Sequence, residues 1–277
     1  MGIIGTAMAF AVIYFTGLAY TARDQAIAAT QSSFSYSFSV DGSLQESGSM
    51  DKSTSPFWWL NSGGLFILKD GLGMTIQGDL NAANKWNIAY ASANPVDTDI
   101  GYRPQNIFRL VTKSKWQNFD QRVYFKITKL NMSESPNRNA SNGFLLFNRY
   151  IDGDNLYYTG VRVDGSVVIK KKKDGKYYTL AYKPFYRADA PYGRNTNINL
   201  IPGDKWIGVR SELENKSDGS VSIKLYMDKG GNGSWVLAAE AVDDGKNSGA
   251  VIREEGHAGI RSDFMDVQID NYSIKNF

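Results

Sequence analysis

Carboxylates at alternate positions of a strand project from one face, and two of them about 5–5.5 Å apart can cleave a glycosidic bond with retention. Asp266-Val267-Gln268-Ile269-Asp270 has that alternation. Gln268 cannot titrate, so the segment reads first as a closing strand with a polar face. Arg210-Ser211-Glu212-Leu213-Glu214 puts a cation and two carboxylates on one face, without a base beside them. The chain has one histidine, His257, and no cysteine. Thiol chemistry, disulfides and cysteine-bound zinc are thereby removed, and a lone histidine beside a glycine reads as a surface or capping group. Asp152-Gly153-Asp154-Asn155 and Asp228-Lys229-Gly230-Gly231-Asn232-Gly233 supply the oxygen ligands that calcium takes, but neither carries the closing acid of an EF-hand loop. Asp and Asn also populate turns for conformational reasons. The sequence assigns no catalytic residue.

Binding chemistry is better represented. Lys170 to Lys173 precede Lys176, Tyr177, Tyr178, Tyr182, Lys183, Phe185, Tyr186 and Arg187. On a hairpin, Lys170 and Lys172 share one face and Lys171 and Lys173 the other. Interleaved lysine and tyrosine could hold an acidic glycan, although lysine also protects edge strands from aggregation. A second set comprises Asn148, Tyr150, Tyr158, Arg162, Arg210, Glu212, Lys224 and Tyr226, which strand parity places opposite the apolar Phe147, Val161, Val209 and Ile223. If their strands adjoin, they form one polar row, with Arg162, Arg210 and Glu212 as its preferred binding residues.

The elements that must position these groups are strands. Phe34, Tyr36 and Phe38 alternate with serine, a period of two. Further strands are expected over 57–60, 65–68, 74–77, 106–112, 123–130, 143–151, 155–163, 166–172, 206–212, 221–227 and 235–241, with a closing pair from Gly256 to Ile274. Asp164-Gly165 and Asp174-Gly175 between alternating runs predict type I′ hairpins. Residues 41–56, 131–142 and 185–204 read as loops. So do residues 80–105, with one helical turn near Ala82–Trp86; a loop this long is often functional and could rim a cleft.

The strand Trp206-Ile207-Gly208-Val209-Arg210, the run Leu225-Tyr226-Met227-Asp228 with Trp235 after the turn, and the ending Ala258-Gly259-Ile260-Arg261 resemble the concanavalin A-like lectin and glucanase superfamily, including laminin-G-like and family 16-type jelly rolls. The resemblance implies an all-β, two-sheet antiparallel jelly-roll sandwich over residues 32–277. It places the polar row on the concave face where this superfamily binds sugar. It also implies a structural calcium between first and last strands, at Asp41 and Asp270. Family 16 hydrolases carry Glu-x-Asp-x-Glu, from which Asp266-x-Gln268-x-Asp270 departs at every position. Arg210-Ser211-Glu212-Leu213-Glu214 is similar to the arginine strand of alginate-lyase jelly rolls, but Glu214 stands where they have arginine. Tyr124-Phe125-Lys126 also precedes that strand instead of following it.

Met1 to Ala22 carry no charged side chain, and the stretch approaches the ~20 apolar residues that span a bilayer. Ala26-Ile27-Ala28 offers small residues spaced like a signal-peptidase site. Residues 1–28 are therefore expected to be a hydrophobic helix serving as signal peptide or membrane anchor, ahead of a secreted or anchored domain. A net charge of +3 is too small for a nucleic-acid footprint. The expected protein is an exported, non-catalytic, lectin-like domain whose partner is an extracellular glycan. A polysaccharide-degrading hydrolase, or less favoured a lyase, is the alternative, and a structural surface or adhesion protein is the third reading.

Overall fold

Burial alternates along segments such as Ile207–Asn215 and Val221–Asp228, which gives strands with one apolar face, and such faces are satisfied only by stacking. The computed structural model describes residues 32–277; the helix, signal or anchor expected over residues 1–28 lies outside the described residues. In chain order the strands are β1 (Ser33–Tyr36), β2 (Gly42–Gln45), β3 (Trp58–Ser62), β4 (Leu65–Lys69), β5 (Leu72–Met74), β6 (Ile107–Trp116), β7 (Phe119–Leu130) and β8 (Gly143–Asp152). There follow β9 (Asn155–Arg162), β10 (Ser166–Lys173), β11 (Lys176–Pro184), β12 (Ile207–Asn215), β13 (Val221–Asp228), β14 (Val236–Asp243), β15 (Gly256–Asp263) and β16 (Met265–Asn276).

Nine of them form one sheet in the order β14-β13-β12-β7-β16-β5-β4-β2, with β1 also paired to β16; the other seven run β11-β10-β9-β8-β15-β6-β3. Every pairing is antiparallel. Between the sheets lies the main core, in which Phe125 and Phe144 stack at 4.1 Å and Trp58 meets Tyr272 edge-on at 4.8 Å. Such ring pairs add about 0.5–1.5 kcal/mol each beyond area burial. A polar seam crosses this core. Asn148 Oδ1 accepts from Gln121 Nε2 (2.6 Å) and Ser211 Oγ (2.7 Å), Asn148 Nδ2 donates to Thr159 Oγ1, and Tyr272 donates to Gln121. Buried polar groups so paired fix the register of one sheet against the other.

Asp174 and Gly175 both have positive φ (50° and 78°), as a type I′ turn requires. At Asp164-Gly165 only the glycine does. Arg162 and Ser166 there flank a three-residue loop, in which the Gly165 amide donates to the Arg162 carbonyl at 2.9 Å. Residues 80–105 contain more order than one turn: α1 (Lys85–Ala93), capped by Asn84, whose side chain accepts from the Trp86 amide, and a 3-10 turn at Pro104–Asn106. Trp86, Ile88 and Tyr90 alternate like strand residues, and only Asn87 and Tyr90 are buried, so the segment has no helical stripe to read.

Candidate functional site

The outer face of the seven-stranded sheet carries a second apolar layer: Val111, Leu145, Phe147, Tyr150, Leu156, Tyr158 and Val168, with Met50 and Trp59 packed on it. Here the sheet forms the floor of a groove of about 390 Å³. Leu145, Tyr158, Val168, Lys170 and Tyr177 contribute from β8 to β11, and Arg109, Arg261 and Asp263 from β6 and β15. Gly160 opposes Leu145 across the strands, and a Cβ there would stand 2.3 Å from the Phe144 carbonyl oxygen. Only glycine allows this approach, and the floor between Tyr158 and Arg162 stays free of a side chain.

Asp97, Asn137, Asn139, Ser141 and Asn142 form the polar wall. Three loops are lashed together behind it. Ser135 Oγ donates to Asp97 Oδ1 at 2.5 Å and Ser133 Oγ to Asp99 Oδ1 at 2.5 Å. Arg138 donates to the Ser133 and Arg194 carbonyls, both at 2.6 Å, and Arg194 returns a bond to the Ser135 carbonyl. Burial pushes the Asp97 carboxyl up, but hydrogen bonds from Ser135, Asn137 and Asn94 outweigh it and hold the group below the usual carboxylate range. Its stabilisation is complete above the ordinary aspartate value of about 4 and is lost as pH falls through the lower folded value. Asp97→Asn is therefore expected to lower the urea midpoint at pH 7 and to flatten its fall between pH 4 and pH 2. An unchanged slope would remove Asp97 as the acid-sensitive link.

On the floor, Arg261 clasps Asp263 through Nε at 2.9 and 3.1 Å and lies 5.6 Å from the Tyr158 ring centre. Lys170 and Lys172 flank the Tyr177 ring at 5.6 and 5.1 Å. Burial, then the nearby Arg162 and Arg261 charges, press the Lys170 ammonium below the usual lysine range. Tyr177 is 54% exposed, whereas Tyr158 is 5% exposed.

The eight residues of the expected polar row do not form one row. Arg210, Glu212, Lys224 and Tyr226 lie together on the outer face of the nine-stranded sheet, with Arg210 opposite Tyr226 and Glu212 opposite Lys224. Arg210 bonds Asp120 at 2.6 Å and also Glu212, which accepts from Tyr226 at 3.0 Å. The other four belong to β8 and β9 in the other sheet, and of these Tyr150, Tyr158 and Arg162 face away from the first set. Asn148 points into the core seam. Arg149, at φ 49°, breaks the parity of β8; its buried guanidinium bonds the Gln117 and Ile252 carbonyls, and Tyr150 returns to the outer face, 5.5 Å from Phe147. Tyr158 lies in the groove floor. Arg162 sits at its end, paired with Asp164 at 3.0 Å and over Tyr182 at 5.1 Å.

The remaining chemical candidates, Lys170 apart, lie outside the groove. Asp266 is 1% exposed and accepts from the Gly78 amide (2.6 Å), Asn131 Nδ2 (2.8 Å) and Gln105 Nε2 (3.0 Å). Asp270 accepts from the Asn271 amide at 2.6 Å, and Asp41 from the Asp70 amide at 3.0 Å. Among the described residues no group of three or more His, Asp or Glu is placed to hold a metal ion. Asp152 and Asp228 bond the amides of their own turns. His257 lies beside the Ser114 carbonyl at 3.3 Å and does not line the groove. The four lysines divide: Lys170 lines the groove, Lys171 is fully buried against Asp243 at 2.7 Å, and Lys172 and Lys173 pair with Asp154 and Asp174. Arg109, Arg261, Asp263, Asp97 and the amide wall were not legible as a site. The Arg261-x-Asp263 spacing, two opposite charges on one strand face, was the available signal.

The two stacked antiparallel sheets and their order make the described domain a jelly-roll-like β-sandwich. No protein-family model and no curated relative matches the chain. Solved structures of similar fold include a carbohydrate binding module, CBM66, from Bacillus subtilis (16% identity, 61% of this chain and 82% of that one, TM-score 0.43). They also include the calcium-bound exoplasmic/lumenal domain of VIP36 (11%, 85% and 90%, TM-score 0.45) and a prokaryotic β-1,3-1,4-glucanase, a lichenase, from a mouse hindgut metagenome (9%, 88% and 99%, TM-score 0.46).

Proposed function

We propose that this domain binds a carbohydrate in the groove on the seven-stranded sheet and does not cleave it. The observation that carries the reading is the groove itself: the exposed Tyr177 ring beside an apolar floor and a wall of Asn137, Asn139, Ser141 and Asn142. Aromatic faces suit the apolar side of a sugar ring, and amides and hydroxyls exchange hydrogen bonds with its hydroxyls. The two carboxylates present are both engaged, Asp97 by Ser135, Asn137 and Asn94 and Asp263 by Arg261. A hydrolase needs one carboxyl raised to act as acid, whereas Asp97 is lowered.

The uncharged stretch from Met1 to Ala22 supports export or anchoring, which would bring the groove to an extracellular glycan. Among the described residues no helix is long and apolar enough to cross a membrane. The test is a glycan array with the full-length chain in mild detergent, with and without calcium, followed by product analysis of each hit. Retained, uncleaved glycan is the expected result; shortened product overturns the non-catalytic reading. Tyr177→Ala should weaken binding by about 1–2 kcal/mol, roughly 5–30-fold. Arg210→Ala, on the opposite face, should leave it unchanged; the reverse pattern would move the site to the nine-stranded sheet.

A further inference from the structure

Arg109 and Arg261 stand directly opposite each other on β6 and β15, both lining the groove. Like charges directly opposed on neighbouring strands repel. Arg261 is neutralised by its two bonds to Asp263, which is itself 5% exposed. Arg109 has no contact of that kind: among the described residues its side chain makes no hydrogen bond and no ion pair, although the Asp97 carboxylate feels its charge. A partly exposed guanidinium facing a second one across a groove, with Lys170 on the far side of Tyr158, is a cation left without its anion.

The charged groups that line this space are Arg109, Arg261 and Lys170 on one side of the balance and Asp97 and Asp263 on the other. Both carboxylates are engaged by protein donors. The two cations free of carboxylate partners are Arg109 and Lys170.

Resting on the carbohydrate reading, we propose that the ligand is an acidic glycan whose carboxylate or sulfate group is held by Arg109, with Lys170 as the second cation and Tyr177 against the ring bearing the charge. A guanidinium binds either anion through parallel N–H donors. The anion would also offset the Arg109–Arg261 repulsion, so charge on the sugar adds to affinity beyond the stacking that a neutral sugar would enjoy.

The experiment uses the full-length chain and matched probes: oligogalacturonate against its methyl ester, and sulfated galactan oligosaccharide against its desulfated form, alongside an array of neutral glycans. Affinity is measured at two salt concentrations. Expected is binding of a charged member with its neutral counterpart weaker by about 10–100-fold, the range of a lost charge-assisted hydrogen bond, and weakening by added salt. Which pair responds tells carboxylate from sulfate. Arg109→Gln should abolish that preference while retaining the weak neutral binding, and Arg109→Lys should keep part of it. Because the Arg109 side chain makes no internal hydrogen bond and its charge faces that of Arg261, Arg109→Lys should match the parent in thermal midpoint and Arg109→Gln should match or exceed it. Neutral and charged glycans bound equally, or a preference untouched by Arg109→Gln, would overturn the acidic-ligand proposal and leave carbohydrate binding standing. Binding to no glycan at all would overturn both.

Discussion

Asp243→Ala is expected to lower the unfolding free energy by about 3–5 kcal/mol, the cost of leaving one member of a buried ion pair alone. Asp243 and Lys171 both have fully buried side chains, with Nζ 2.7 Å from Oδ2. Tyr157 donates to the same oxygen at 2.5 Å, Ser248 donates to Oδ1 at 2.7 Å, and Lys171 also reaches the Gly249 and Ala250 carbonyls. Burial, then the bond and charge of Asp243, push the Tyr157 phenol far above its ordinary range, so the alanine variant strands a hydroxyl as well as an ammonium. At about 2–4 °C per kcal/mol for a domain of this size, the midpoint should fall by roughly 6–20 °C. Lys171→Met combined with Asp243→Leu should restore part of the loss, because no isolated charge is left. A single-variant loss below about 1 kcal/mol would mean that water reaches Lys171. The effect extends to the groove: Lys170 and Lys172, either side of the buried lysine, are the side chains that flank Tyr177.

Asp266→Ala should destabilise by about 3 kcal/mol, since it orphans donors at roughly 1–3 kcal/mol each and a water can replace only some of the bonds. The donors come from three different segments, Gly78, Gln105 and Asn131, so the carboxylate ties the loop after β5, the 3-10 turn and the loop after β7 to the start of β16. Urea unfolding measures the loss. Glycan binding by the protein that remains folded should be unchanged, because Asp266 does not line the groove. A variant of full stability that lost turnover of a glycan would return Asp266 to the role of a catalytic acid.

The strand rhythm was legible because alternation reports directly on a sheet with one buried face. β6 to β16 fall close to where Val, Ile, Phe and Tyr alternate, while β2 (Gly42–Gln45) was hidden in a serine- and glycine-rich stretch with only Leu44 buried. Facing was harder. Parity along β8 fails at Arg149, whose positive φ no local pattern signals. The assignment of strands to sheets also depends on crossovers: β9 and β12 each look half polar, yet they belong to different sheets. The groove wall was least legible. Asn137, Asn139, Ser141 and Asn142 belong to a loop whose shape is set by Asp97, Asp99 and Arg194, distant in sequence.

β15 lies between β8 and β6, and β16 between β7 and β5 while also holding β1, although a single residue, Phe264, joins the two strands. The last two of the described strands in chain order are thus interior, one to each layer. Everything synthesised before Gly256 must wait with two unfilled slots, each bordered by open amide and carbonyl rows that favour pairing with a neighbouring chain. Non-local closure of this kind slows folding. A chain lacking β15 and β16 would leave each layer in two parts, with no seam along which to close.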